Sequence, residues 1–82
     1  MYNLIVYLNP VAPTHIIYLC KDQEIKFTFE VDTDTFDTTF KQLIHKYNIT
    51  DVAIKGNKTY AQHFIKDTIA NYSKLNISFL II

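Results

Sequence analysis

The chain has no arginine and no tryptophan, and only one cysteine, one glycine and two prolines among its 82 residues. Each shortage removes a class of chemistry. All eight basic residues are lysines, so the planar fork best suited to bidentate recognition of phosphates, carboxylates and base edges is missing. A lone Cys20 cannot close an internal disulfide, and the N-terminus shows neither a basic stretch nor a small-residue cleavage site, so a reducing, cytoplasmic setting is expected. Excess charge is lacking too. Eight Lys balance eight Asp and Glu, leaving no net field to gather a polyanion or an anionic lipid surface, which disfavours nucleic acid as a partner. The longest apolar runs, Asn3 to Leu8 and Ile77 to Ile82, fall far short of the roughly 20 residues that span a bilayer, so no membrane segment is expected.

What the chain does have is a large apolar fraction, 49%, with six Phe and six Tyr. That is enough to build a core without disulfides, and residues 1–82 read as a single α/β domain with no repeats, linkers or low-complexity tracts. Abundant Ile, Asn, Lys, Tyr and Phe fit an AT-rich coding sequence, as in a small accessory protein of a low-GC bacterium or its phage. Asn-x-Ser/Thr triplets at Asn48, Asn57, Asn71 and Asn76 reflect this composition rather than glycosylation.

Periodicity divides the chain. Asn3 to Asn9, almost wholly apolar and closed by Pro10, predicts a first strand buried on both faces, and the two prolines that follow force a loop. His15 to Cys20 predicts a second strand, joined by the polar link Lys21 to Glu24 to a third. In that third strand Ile25, Phe27, Phe29 and Val31 alternate with Lys26, Thr28 and Glu30, so one side is wet and the strand belongs at an edge. Asp34 is placed to cap a helix over about Thr35 to Tyr47, with Asp37 in its first turn and Phe36, Phe40, Leu43, Ile44 and Tyr47 at helical spacing. Asp51 to Lys55 reads as a short buried strand stopped by Gly56. Thr59 and Gln62 form a capping box for a second helix, about Lys58 to Ser73, with Ala61, Phe64, Ile65, Thr68, Ile69 and Tyr72 on one side. Leu75 to Ile82 is the last strand.

The element order β-β-β-α-β-α-β predicts a five-stranded mixed sheet, spatial order 3-2-1-4-5, with only the second strand antiparallel to the rest. This layout resembles the ribonuclease H-like fold over nearly the whole chain. The resemblance implies a set of acids, among them an Asp on the first strand, a Glu on the first helix and an acid at the end of the fourth strand. The sequence departs at each place: Asn3 to Pro10 contains no carboxylate, the first helix continues with Lys41, Gln42, His45 and Lys46, and the fourth strand ends in Lys55-Gly56. Two-metal phosphoryl chemistry needs several convergent oxygen ligands, so the resemblance is one of layout without the nuclease chemistry. The phosphate loops of the related actin-like ATPases are equally out of reach of a chain with one glycine.

Local candidates are few. Lys55, Gly56, Asn57, Lys58 and Thr59 form a strand end, a turn and a helix start with two cations, a candidate anion or nucleotide site, against which stands an ordinary strand-to-helix connection. Glu30, Asp32, Asp34 and Asp37 have the Asp-x-Asp spacing that opens calcium loops but lack the loop glycine and distal Glu, and read as helix-capping acids. His15, His45 and His63 have no zinc spacing, and Cys20 sits in an apolar strand as an inert thiol. No cofactor and no metal are expected.

Right-handed crossovers from strand three to four and from four to five move in one lateral direction, so both helices fall on one face. The opposite face is left bare. Its candidate residues are Leu4, Val6 and Leu8 or their neighbours Ile5 and Tyr7, together with Ile16, Tyr18 and Cys20. The expected function is a non-enzymatic interaction module, self-associating as a homodimer or higher oligomer or docking a heterologous protein. The alternative is a nucleotide- or nucleic-acid-binding module using the Lys55 to Thr59 turn.

Overall fold

The computed structural model describes residues 1–9, 11, 13–71 and 76–82. Its elements are β1 (Tyr2–Tyr7), β2 (Thr14–Lys21), β3 (Glu24–Asp32), α1 (Phe36–Tyr47), β4 (Asp51–Lys55), α2 (Lys58–Asn71) and β5 (Ser78–Ile81). They form one five-stranded sheet in the order β3-β2-β1-β4-β5, antiparallel at β1/β2 and β2/β3 and parallel at β1/β4 and β4/β5. The order and the directions are those expected from the element sequence. The side chain of Ile69 and the expected positions Tyr72, Ser73 and Leu75 lie outside the described residues, as do Pro10 and Ala12 of the first loop.

The link between β2 and β3 is tighter than its polar sequence suggests. Lys21 pairs with Glu24, which leaves only Asp22 and Gln23 in the loop, at φ 53° and 69°. Two successive positive φ values are what a two-residue hairpin needs to match the right-handed twist of its strands. The register then shifts between Leu19 and Cys20: Leu19 faces Phe27, Cys20 faces Ile25, and Lys26 is the extra residue of a bulge. This corrects the expected alternation, because the bulge moves Ile25 to the sheet face opposite that of Phe27, Phe29 and Val31.

Both helix starts differ from expectation in the residue that makes them. Thr35, not Asp34, is the N-cap of α1, and it makes no side-chain cap bond; its N–H and hydroxyl both donate to the carbonyl of Asp32, at 3.1 and 3.4 Å. A turn thus replaces the carboxylate cap, while Asp37 keeps its place in the first turn, where the helix dipole favours negative charge. In α2 the carboxamide of Asn57 accepts the N–H of Tyr60 at 3.1 Å, so Asn57 displaces the Thr59/Gln62 box as the cap. Such a cap contributes about 1 kcal/mol. At the other end of α1, Asn48 adopts the left-handed conformation and Ile49 returns to the core, its N–H donating to Ile44 O at 3.0 Å.

The core lies on one side of the sheet. Leu4, Val6 and Leu8 of the β1 segment, Ile17 and Leu19 of β2, Val31 of β3 and Val52 and Ile54 of β4 pack against Phe36, Phe40, Leu43 and Ile44 of α1 and Ala61 of α2. Every strand residue in that set has the same pleat parity, so both helices cover the same face, α1 toward β3 and α2 over β4 and β5. This corrects the first set of surface candidates: Leu4, Val6 and Leu8 are no more than 1% exposed and point into the helices. Their neighbours Ile5 and Tyr7 take the bare face instead. Thr68, buried on α2, is satisfied by donating to Phe64 O at 2.8 Å.

Candidate functional site

The helix-free face can be built row by row from the strand registers. In the middle row Thr28 (β3), Tyr18 (β2), Ile5 (β1), Ala53 (β4) and Leu80 (β5) stand side by side. The row toward the C-terminal ends of β1, β3 and β4 runs Glu30, Ile16, Tyr7, Lys55. On the other side of the middle row lie Ile25, Cys20 and Asn3, with Asp51 and Ser78 completing it. The centre of the face is therefore apolar and its margins carry one acid and one base in a single row. Ile5, Ile16, Tyr18 and Ala53 are half-buried because flat neighbours shield one another, while Tyr7 is 39% and Leu80 64% exposed. Of the surface candidates, Ile16, Tyr18 and Cys20 do lie on this face. Cys20 is the least accessible of them, its thiol directed at Tyr18 O, and burial raises its pKa, so it is held as the inert thiol.

The Lys55 to Thr59 turn is taken apart by the same parity. Val52 and Ile54 face the helices, so Lys55 points to the opposite side of the sheet from α2, whose first residue is Lys58. At the helix start itself the N–H of Tyr60 is already taken by the Asn57 carboxamide. Gly56 has a structural reason to be glycine. Its φ is 144°, and an added Cβ would sit 2.7 Å from the carbonyl oxygen of Leu8.

Close to this turn, His15 is a core residue rather than a ligand. It is 5% exposed, lies edge-on to the ring of Phe36 and beside Tyr60, and its Nδ1 accepts the N–H of Asn9 at 3.2 Å. An acceptor Nδ1 is unprotonated, so this bond belongs to the neutral ring. Burial pushes the pKa of His15 below its ordinary 6.5. The folded state then binds fewer protons than the unfolded one just below that value, so stability is complete above pH 6.5 and declines as pH falls from 6.5 toward the folded-state pKa. A series of urea midpoints across this interval is expected to fall with acidification, and His15→Gln to flatten the slope; an equal slope in both proteins would show that His15 titrates without coupling to folding.

The acidic stretch does not converge. Glu30 lies on the helix-free face, where the Thr14 hydroxyl donates to it at 3.5 Å; Asp32 ends β3; Asp34 and Asp37 belong to the turn and first turn of α1. His45 and His63 are exposed on different helices. Among the described residues no group of three or more His, Cys, Asp or Glu could hold a metal ion, and no helix is long and apolar enough to cross a membrane.

Two positions on the bare face went unread in the sequence, Ala53 and Leu80, because the parity of β4 and β5 depends on the β1 register. For β1 a signal was present: Asn3, Tyr7 and Asn9 share one parity and carry the only polar tips of the segment, which marks their side as the wetter one. No protein-family model matches the chain, and no curated protein or solved structure does either.

Proposed function

We propose that this protein is a non-catalytic interaction module that self-associates through the helix-free face of its sheet. The observation that carries the reading is the content of that face: Ile5, Ile16, Tyr18, Ala53 and Leu80, with Tyr7 at 39% exposure, form a contiguous apolar surface that no element among the described residues covers. Antiparallel sheets tolerate a wet face by making it polar, whereas here the middle of the sheet is apolar on both sides. A surface of that kind marks an interaction site, and sheet-on-sheet packing at about 10 Å is its usual cover. A neutral chain, eight charges against eight, has no net repulsion to keep copies apart.

The layout is read as a ribonuclease H-like arrangement used without its chemistry. The bare face presents Ile5 and Tyr7 along β1 and Lys55 at the end of β4, where acids would have to stand for two-metal catalysis. A nucleotide- or nucleic-acid-binding role for the Lys55 to Thr59 turn draws less support, since Lys55 lies on the sheet face opposite α2, the helix that Lys58 begins.

Light scattering across a dilution series tests the proposal. The expected mass at high concentration is twice the 9.6 kDa of the chain, dissociating on dilution. Tyr7→Lys is expected to give the single-chain mass throughout and, at dilutions where wild type is itself monomeric, the same melting temperature, because Tyr7 lies outside the core. A wild-type protein that stays monomeric at every concentration sinks the proposal.

A further inference from the structure

The row Glu30, Ile16, Tyr7, Lys55 is its own complement when reversed. It reads acid, apolar, apolar, base across β3, β2, β1 and β4, all on the helix-free face. A half-turn about an axis parallel to the strands and lying between β1 and β2 preserves the level along the strands and reverses the order across them. Face to face, that operation sets Glu30 of one copy opposite Lys55 of the other and Ile16 opposite Tyr7, each twice over. The middle row behaves likewise, with Tyr18 facing Ile5 and Thr28 facing Ala53. Two-fold pairing of one patch with itself is the commonest way for identical chains to associate.

Resting on the self-association proposed above, we infer that the partner is a second copy of this chain, packed sheet on sheet about this axis, with Glu30–Lys55 ion pairs between copies at both margins of an apolar centre. The competing half-turn, about an axis running across the strands, sets Lys55 opposite Asp51 but places Tyr7 on Asn3 and leaves Glu30 against Ile25. The strand-parallel axis has mismatches of its own in the third row, Ile25 on Asp51 and Cys20 on Asn3. It nevertheless covers the 39% exposed Tyr7 with Ile16 and leaves the polar Asn3 to the buried Cys20, whereas the crossed axis sets Asn3 on Tyr7. Four overlapping strands about 4.8 Å apart and some six residues long cover a footprint of roughly 400 Å² per copy, about 800 Å² in all, which is below the standard size of specific interfaces and fits a weak, reversible dimer. Margins that steer and orient the partner then matter more than in a large interface.

Within one chain Glu30 and Lys55 are three strand spacings apart, about 14 Å, too far for an ion pair, so any rescue between them must pass between molecules. Both are exposed, and single substitutions leave the core untouched. Sedimentation equilibrium of Glu30→Lys and of Lys55→Glu, each alone, is expected to show association weakened at least about tenfold, since each places two like-charge pairs in the dimer. Mixing the two variants is expected to restore association to within about threefold of wild type, because the mixed dimer regains one attractive pair at each margin. The double variant Glu30→Lys/Lys55→Glu is expected to self-associate equally well. A wild-type dimer that ignores these substitutions, or singles that do not recover on mixing, overturns this axis while leaving self-association standing. Recovery of Lys55→Glu by Asp51→Lys instead overturns it in favour of the crossed axis. A monomeric wild type removes both the arrangement and the function it rests on.

Discussion

Phe40→Ala is expected to be the most destabilising single truncation in this chain, at about 3 to 5 kcal/mol. Phe40 is completely buried, stacks on Phe36 at 5.5 Å with an interplanar angle of 15°, and meets the edge of Phe64 at 6.0 Å. It sits with Phe36 at the centre of the aromatic cluster that joins α1 to α2, within the core that packs on the sheet. Removal forfeits the transfer free energy of the ring and leaves a cavity that three separate elements cannot all collapse into. A domain of this length has a total stability of roughly 4 to 12 kcal/mol, so the loss is a large share of what holds it folded. At roughly 4 to 8 °C per kcal/mol, the melting temperature should fall by well over about 10 °C. Thermal unfolding followed by circular dichroism reads this directly. A fall of only a few degrees would mean that the α1–α2 junction repacks around the void.

The second large effect is expected from Gly56→Ala, one of the smallest changes that can be made to the chain. The φ of 144° is outside the range open to residues with a Cβ, and the new methyl would meet Leu8 O at 2.7 Å. That oxygen belongs to the backbone, in the segment where Leu8 N–H donates to Lys55 O at 2.9 Å, so it cannot swing aside as a side chain would. Either β4 parts from the end of β1 or the β4–α2 turn is rebuilt. Backbone strain and clash together should cost roughly 2 to 4 kcal/mol. Urea denaturation is the measurement, with Asn57→Ala as the comparison: a lost cap removes only about 1 kcal/mol. Equal midpoints for the two variants would show that the turn is free to relax.

How much of this was legible in the sequence follows from which signals are local. Strand order came from the alternation of element types and the handedness of crossovers, and Asp51–Lys55 was bounded by its own apolar run and Gly56. What could not be read were matters of register. Whether Leu4 or Ile5 faces the helices depends on how β1 aligns with three other segments, and shifting by one residue exchanges the whole set. Ile25 escaped for a related reason, since a bulge between Leu19 and Cys20 inverts parity only beyond the point of the shift. The caps failed more subtly. Asp34 and Thr59 have the right chemistry at nearly the right place, but Asp32 and Asn57 lie where the strands end and the chain turns, and they act first. The placing of Glu30 and Lys55 in one row was invisible altogether, because their level on the sheet is fixed through two intervening strands.

The sheet is also two assemblies of different reach. The β1–β2–β3 meander pairs residues close in sequence, whereas Leu4 meets Val52, 48 positions later (52 − 4), in the parallel ladder. Closing so long a loop costs entropy before any contact repays it, and such non-local pairings set the pace of folding. The N-terminal three strands can thus gather as a local unit, with the exposed margin of β1 waiting as a template until β4 arrives to complete it.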